Sequence, residues 1–195
     1  MKVLITGFGP FPGAPFNPSG PLALALAKLR RPTFTGVRRV AHVFETSYAA
    51  VDRDLPKLLA RHRPDIVLMF GLAARTPFVR IETRARNAVS VLSPDVEGRT
   101  LRRHEIAPGG AMSLRGRAPF RRLAAASRSV RVPCRLSGDA GGYLCNYVYW
   151  RALAASRSGT LTQFVHIPSS RRIGHSDLVR AGEAILRALL AARRR

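Results

Sequence analysis

Lysine is almost missing from this 195-residue chain: Lys2, Lys28 and Lys57 are the only three among 33 basic residues, and the rest are arginine. Acidic residues are also scarce, 11 in all, which leaves a formal net charge of +22. A surface selected to grip nucleic acid would mix lysine with arginine against the phosphates. Here the arginines are scattered in pairs (Arg30/Arg31, Arg38/Arg39, Arg102/Arg103, Arg121/Arg122, Arg171/Arg172), and no stripe interleaves them with aromatics that could stack on bases. The charge therefore reads as compositional bias on a solvated surface. No specific nucleic-acid partner is expected, only weak, salt-sensitive adhesion to polyanions. Two cysteines, Cys134 and Cys145, are too few for a disulfide scaffold and exclude a stapled secreted mini-protein. Long apolar runs are absent too. The longest mainly apolar stretch, Gly20–Leu29, falls far short of the roughly 20 residues of a membrane span, so no membrane partner is expected. The first residues enter a Gly/Pro loop after one short strand and do not read as a signal peptide. The expectation is a reduced, soluble, cytoplasmic protein.

What is present is a 46% hydrophobic chain long enough to bury a real core, and one domain over residues 1–195 is the natural reading. Strand-like and helix-like segments alternate throughout. Lys2–Thr6, Val37–Phe44, Asp65–Phe70, Val79–Leu92 (as one or two strands), Val130–Cys134 and Leu161–Ile167 read as strands. Pro21–Arg30 with Ser19 as its cap, Ser47–Arg61, Phe120–Ala126, Ala140–Ala155 and Ser176–Arg193 read as helices, although Pro56 weakens the second. Ser93–Gly116 reads as a long loop. The alternation predicts an α/β domain whose mostly parallel, twisted sheet lies between two helix layers. Functional sites in such sheets gather at the carboxyl ends of the strands. That points to the loops beginning at Gly7, Gly71, Ser137 and Pro168.

Chemistry narrows these loops further. Gly7, Gly9 and Gly13 make a glycine-rich turn, but Pro10 removes a donor and no acid follows about 20 residues on to hold a ribose, so a dinucleotide site is disfavoured. Phe8 and Phe11 on that loop suit a flat apolar ring better than a phosphate. Cys134 closes an apolar strand and reads as a small core residue. Cys145 follows a Ser/Gly/Asp-rich loop and falls in the first turn of a helix, where the dipole would stabilise a thiolate and free amides could hold an oxyanion. Position alone leaves Cys145 open between nucleophile and core cysteine. Of five histidines, His166 stands at the end of its strand, just before Pro168, and is the best base for Cys145. Glu82 is the one acid in Val79–Val91 and the candidate third member, its alternative being a surface ion pair with Arg80, Arg84 or Arg86. No HExxH, CxxC or Walker pattern occurs, so neither metal nor cofactor is expected.

Four segments, TGFGPFPGAPFNPSGPLA near the start, RIETRARNAV around Glu82, DAGGYLCNYVYW around Cys145 and FVHIP around His166, together resemble the signature regions of pyroglutamyl peptidase type I, the pyrrolidone-carboxylate peptidase family of cysteine peptidases. The resemblance runs in order from Lys2 to about Ile185. It implies a three-layer α/β/α fold, a triad of Glu82, Cys145 and His166, and cofactor-free removal of an N-terminal pyroglutamyl residue from peptides. By the same likeness Phe8 and Phe11 flank the lactam ring, and Tyr143 and Leu144 line its pocket. Family members are cytosolic and often oligomeric, so a homo-oligomer is a further expectation. The chain departs from the family pattern at Leu92 and Ser93, which replace an Arg-Ile pair, and at His42, where a small polar residue is common. The rival readings are an amidohydrolase acting on another lactam or acyl group, and a non-catalytic basic nucleic-acid-binding protein.

Overall fold

The computed structural model describes residues 1–194 and places them around one six-stranded sheet. In chain order the elements are β1 (Lys2–Phe8), α1 (Ser19–Lys28), β2 (Arg38–Phe44), α2 (Tyr48–His62), β3 (Ile66–Leu72), β4 (Val79–Glu82), β5 (Arg84–Arg86), β6 (Ser113–Arg115), α3 (Phe120–Ser129), β7 (Cys134–Ser137), α4 (Leu144–Ala155), β8 (Leu161–Ile167) and α5 (His175–Arg193). The sheet order is β2-β1-β3-β8-β4-β7, with β5 and β6 forming a separate antiparallel pair.

The alternation of side chains across the sheet builds two cores. On one face Val3, Ile5, Ile66, Leu68, Phe70, Ile81, Val165 and Ile167 pack under α1, α3 and α5. On the other, Leu4, Val67, Met69 and Phe164 pack under α2 and α4. β3 is buried on both faces from Ile66 to Gly71, which is why its sequence is continuously apolar rather than alternating. α2 survives Pro56 because packing of Val51 and Leu55 into the core outweighs one missing N–H. Its start is held by Ser47, whose Oγ accepts a bond of 3.1 Å from the Ala50 amide.

Four strands (β2, β1, β3, β8) run parallel, whereas β4 lies antiparallel to β8, and β7 is parallel to β4. The reversal follows from chain length. Only Ala73–Phe78 separate β3 from β4, too few for the crossover that a parallel return requires. The carboxyl-edge rule thus holds for the loops after Gly7, Gly71 and Pro168, while Ser137 ends a strand running the other way.

Several expected boundaries move. Val130–Cys134 is not a strand: α3 ends at Ser129, Arg131 turns through a left-handed conformation (φ 62°), and β7 begins at Cys134. The buried Val132 and Cys134 made the turn look like a strand. Val79–Leu92 divides after Glu82, and its second half pairs with β6, inside the segment expected to be pure loop. The helix expected from Ala140 starts at Leu144. Ser19 is the first residue of α1 and not a side-chain cap; its Oγ accepts a 3.0 Å bond from the Phe8 amide, tying the helix to the end of β1. The approach is close enough that a Cβ on Gly7 would stand 2.2 Å from the Ser19 carbonyl oxygen, so only glycine fits there.

Candidate active site

The register of β3, β8 and β4 assembles one layer of side chains on the α2/α4 face. Gly71 pairs with His166, His166 pairs with Arg80, and Phe164 pairs with Glu82. His166 and Glu82 are therefore diagonal neighbours on one face, within reach of each other. His166 Nδ1 lies 2.7 Å from Glu82 Oε1, and both side chains are almost fully buried (5% and 0% exposed). Glu82 is thus not a surface ion pair. Its backbone carbonyl accepts bonds from Gln163 Nε2 (2.9 Å) and Tyr149 Oη (3.1 Å), which fix the end of β4 against β8 and α4.

Cys145 enters from above. It is the second residue of α4, half-buried, and its Sγ fills the place where a Gly71 side chain would stand: an ideal Cβ there would be 2.7 Å from it. Because Gly71 is the register partner of His166, the thiol stands over the backbone position that lies one strand spacing, about 4.8 Å, from that of His166. α4 is clamped in this position by buried Asn146, which donates to the carbonyls of Arg86 and Ala88 (2.8 Å each) and accepts from the Arg86 amide (2.9 Å). The first-turn amides of Leu144 and Cys145 have no partner within the helix, as at any helix start.

Electrostatics at this site are set by burial. The Cys145 thiol is pushed up to about 12, first by desolvation and then by the Glu82 charge, with Arg80 opposing. His166 is held below its ordinary value by desolvation, although Glu82 works the other way. Burial thus works against the thiolate that the helix start was expected to favour, and both shifts point towards a neutral thiol beside a neutral imidazole. Cys134, by contrast, lies buried in the opposite core at the start of β7, its thiol raised to about 11 by burial.

Arg80, named from the sequence only as one of three possible ion-pair partners of Glu82, does pair with it and stands against His166 as well. Its Nε is 3.1 Å from Glu82 Oε1 and its Nη2 is 3.1 Å from His166 Nδ1. One carboxylate oxygen is thereby shared between imidazole and guanidinium. Every second residue of a strand faces the same way, so Arg80, two before Glu82, was the readable signal.

Beside this layer opens a cavity of about 840 Å³, lined by Phe11, Ala73, Arg75, Arg80, Leu92 and Tyr143 among others. Tyr143 donates to the Pro94 carbonyl (3.0 Å) and ties the loop of Leu92 and Ser93 to the start of α4. Phe8 does not line the cavity. It is buried against Phe44, ring centroids 5.8 Å apart. Leu144 is likewise buried, at the base of α4. His42 stands away from the cavity on β2, 3.6 Å from Asp54. Among the described residues no cluster of three or more His, Cys, Asp or Glu could hold a metal, and no helix is long and apolar enough to cross a membrane.

A three-layer α/β/α domain that brings a cysteine at a helix start to a buried histidine–carboxylate pair has the make-up of a cysteine-dependent hydrolase. Residues 1–187 match the family model described as pyroglutamyl peptidase. Among curated relatives, the pyrrolidone-carboxylate peptidase of Deinococcus radiodurans is 33% identical over 175 residues, spanning 88% of this chain and 79% of that one. That of Thermococcus onnurineus is 30% identical over 171 residues, 86% of this chain and 84% of its own. Among solved structures, a mutant pyrrolidone carboxyl peptidase from Pyrococcus furiosus superposes with a TM-score of 0.90 at 26% identity, covering 98% of this chain and 99% of that one. The chain belongs to the pyroglutamyl peptidase family of cysteine peptidases.

Proposed function

We propose that the protein hydrolyses the bond after an N-terminal pyroglutamyl residue of a peptide, with Cys145 as nucleophile, His166 as general base and acid, and Glu82 as the group that orients the imidazole. The observation that carries this reading is the 2.7 Å bond between His166 Nδ1 and Glu82 Oε1 at the strand position beside Cys145. Donation of Nδ1–H to Glu82 leaves Nε2 with a lone pair for the thiol proton. As Sγ attacks the pyroglutamyl carbonyl, the proton passes to His166, and the resulting imidazolium is stabilised by the Glu82 charge. The free amides at the start of α4 would hold the oxyanion. His166 then returns the proton to the departing amine, leaving a thioester that water hydrolyses to pyroglutamate. Since thiol and imidazole rest neutral, the proton moves with the attack rather than before it.

Phe11 and Tyr143 supply apolar surface at the cavity for the lactam ring, while Phe8 and Leu144 would act from behind it, by shaping its wall. Cytoplasmic action fits two unpaired cysteines in a reducing compartment. Assembly into a homo-oligomer belongs to the same reading. Leu92 and Ser93 at the cavity favour, as a second reading, an amidohydrolase for a related lactam or acyl group. Hydrolysis of pyroglutamyl-aminomethylcoumarin that is abolished by a thiol alkylator is the expected result. A folded protein that leaves this substrate intact would overturn the proposal.

A further inference from the structure

We infer that the cavity reached from the Glu82–His166 layer through Arg80 and Tyr143 selects peptides carrying an acidic residue directly after the pyroglutamyl group, through a cationic wall formed by Arg75 and Arg80. The inference rests on the function proposed above and adds the class of substrate. At about 840 Å³ the cavity is far larger than a five-membered lactam needs and lies within the range that encloses a drug-sized ligand, so the leaving residue sits in it too. Its lining contains two arginines and no carboxylate. The acids nearest to it are engaged elsewhere: Glu82 lies fully buried behind Arg80, Asp139 pairs with Arg86 at 3.0 Å, and buried Asp95 accepts from the amides of Tyr48, Glu97 and Arg99. Arg80 differs from the many surface arginines in being anchored: its Nε lies 3.1 Å from the buried Glu82 carboxylate, so one edge of the guanidinium is held by that ion pair before substrate arrives. Arg75, on the exposed turn after β3, completes the wall. A pyroglutamyl peptide has no ammonium at its start, so a carboxylate on its second residue makes that end net negative. It meets a planar donor fork suited to carboxylate.

The test compares kcat/KM for pyroglutamyl-aspartyl, -alanyl and -lysyl peptides of otherwise equal sequence, at low and physiological salt. The expected order is aspartyl over alanyl over lysyl, with aspartyl ahead of alanyl by about 10-fold at low salt and by less at high salt. The aspartyl-to-alanyl ratio should fall towards one in Arg75→Met and Arg80→Met; taking the ratio cancels any loss of chemistry common to both substrates. Binding of the same peptides to the inactive Cys145→Ala protein gives a second reading that needs no turnover. Equal rates and equal binding for the three peptides, or an acidic preference that both Arg variants retain, would overturn the inference while leaving the proposed function standing. Failure to cleave or bind any of them would overturn the proposed function itself.

Discussion

The missing Cβ of Gly71 is the space in which Cys145 Sγ sits. An alanine there would bring its methyl within 2.7 Å of the sulfur and within 2.7 Å of Phe164 Cζ. Neither neighbour is the far end of a flexible chain, so the thiol must move off its line to His166. Gly71→Ala is expected to lower kcat by about 10- to 100-fold, since misplacement of a reacting group by roughly 1 Å has that effect. Circular dichroism and the melting temperature would establish that the fold persists. Wild-type kcat in the folded variant would show that the thiol does not need this space.

Cys145→Ser or Cys145→Ala should reduce hydrolysis by about 10⁴-fold or more, whereas Cys134→Ser should retain most activity. Cys134 lies in the core on the other face of the sheet. Comparable losses from both, in folded proteins, would contradict the assignment of Cys145.

The acid limb of the kcat/KM profile should fall below the ordinary imidazole value of about 6.5, because burial lowers His166 and the base must be neutral to act. Charged groups facing His166 are Glu82 and Arg80 from β4 and Asp139 from the loop before α4. Arg80 opposes protonation, so Arg80→Met should move the limb to higher pH. Linkage gives the same sign for stability. Above about 6.5 the folded and unfolded chains both hold His166 neutral, and as pH falls below it only the unfolded chain takes the proton, so stability is lost. An acid limb above 6.5, or one unmoved in Arg80→Met, would contradict this account.

Phe11→Ala should raise KM for pyroglutamyl substrates more than it lowers kcat, because it removes a wall of the cavity in ground and transition states alike. A contact of about 1–3 kcal/mol corresponds to roughly 5- to 150-fold in kcat/KM. Phe8→Ala should act differently: the ring is buried on Phe44, and its removal should cost about 3–5 kcal/mol of stability. Steady-state kinetics and denaturant melts of the two variants would separate these roles.

If the net charge of +22 is compositional, binding to duplex DNA should collapse between low and physiological salt and show no sequence preference. Tight, sequence-selective binding at physiological salt would revive the nucleic-acid reading.

The alternating strands and helices, the buried β3, the helix start at Cys145 and the strand end at His166 were all legible in the order of residues, because each depends on local periodicity, turn residues and a single register of apolar side chains. The layout of strands β4 to β7 was not. The turn at Val130–Val132, with Val132 buried and Arg131 exposed, has the composition of a strand, and the pairing of β5 with a segment almost 30 residues downstream is a contact between distant parts of the chain. Nor could composition separate Phe8 from Phe11. They lie three residues apart, Phe8 as the last residue of β1 and Phe11 in the loop after it, yet one ring turns into the core and the other towards the cavity. The sequence alone determined which residue types could carry the chemistry and on which elements they stand. Only the tertiary structure decided that β4 returns antiparallel beside β8, and this register sets Glu82 on His166, Arg80 on both, and the burial that keeps thiol and imidazole neutral. Burial and register are properties of elements packed together, and neither exists until strands far apart in the chain become neighbours.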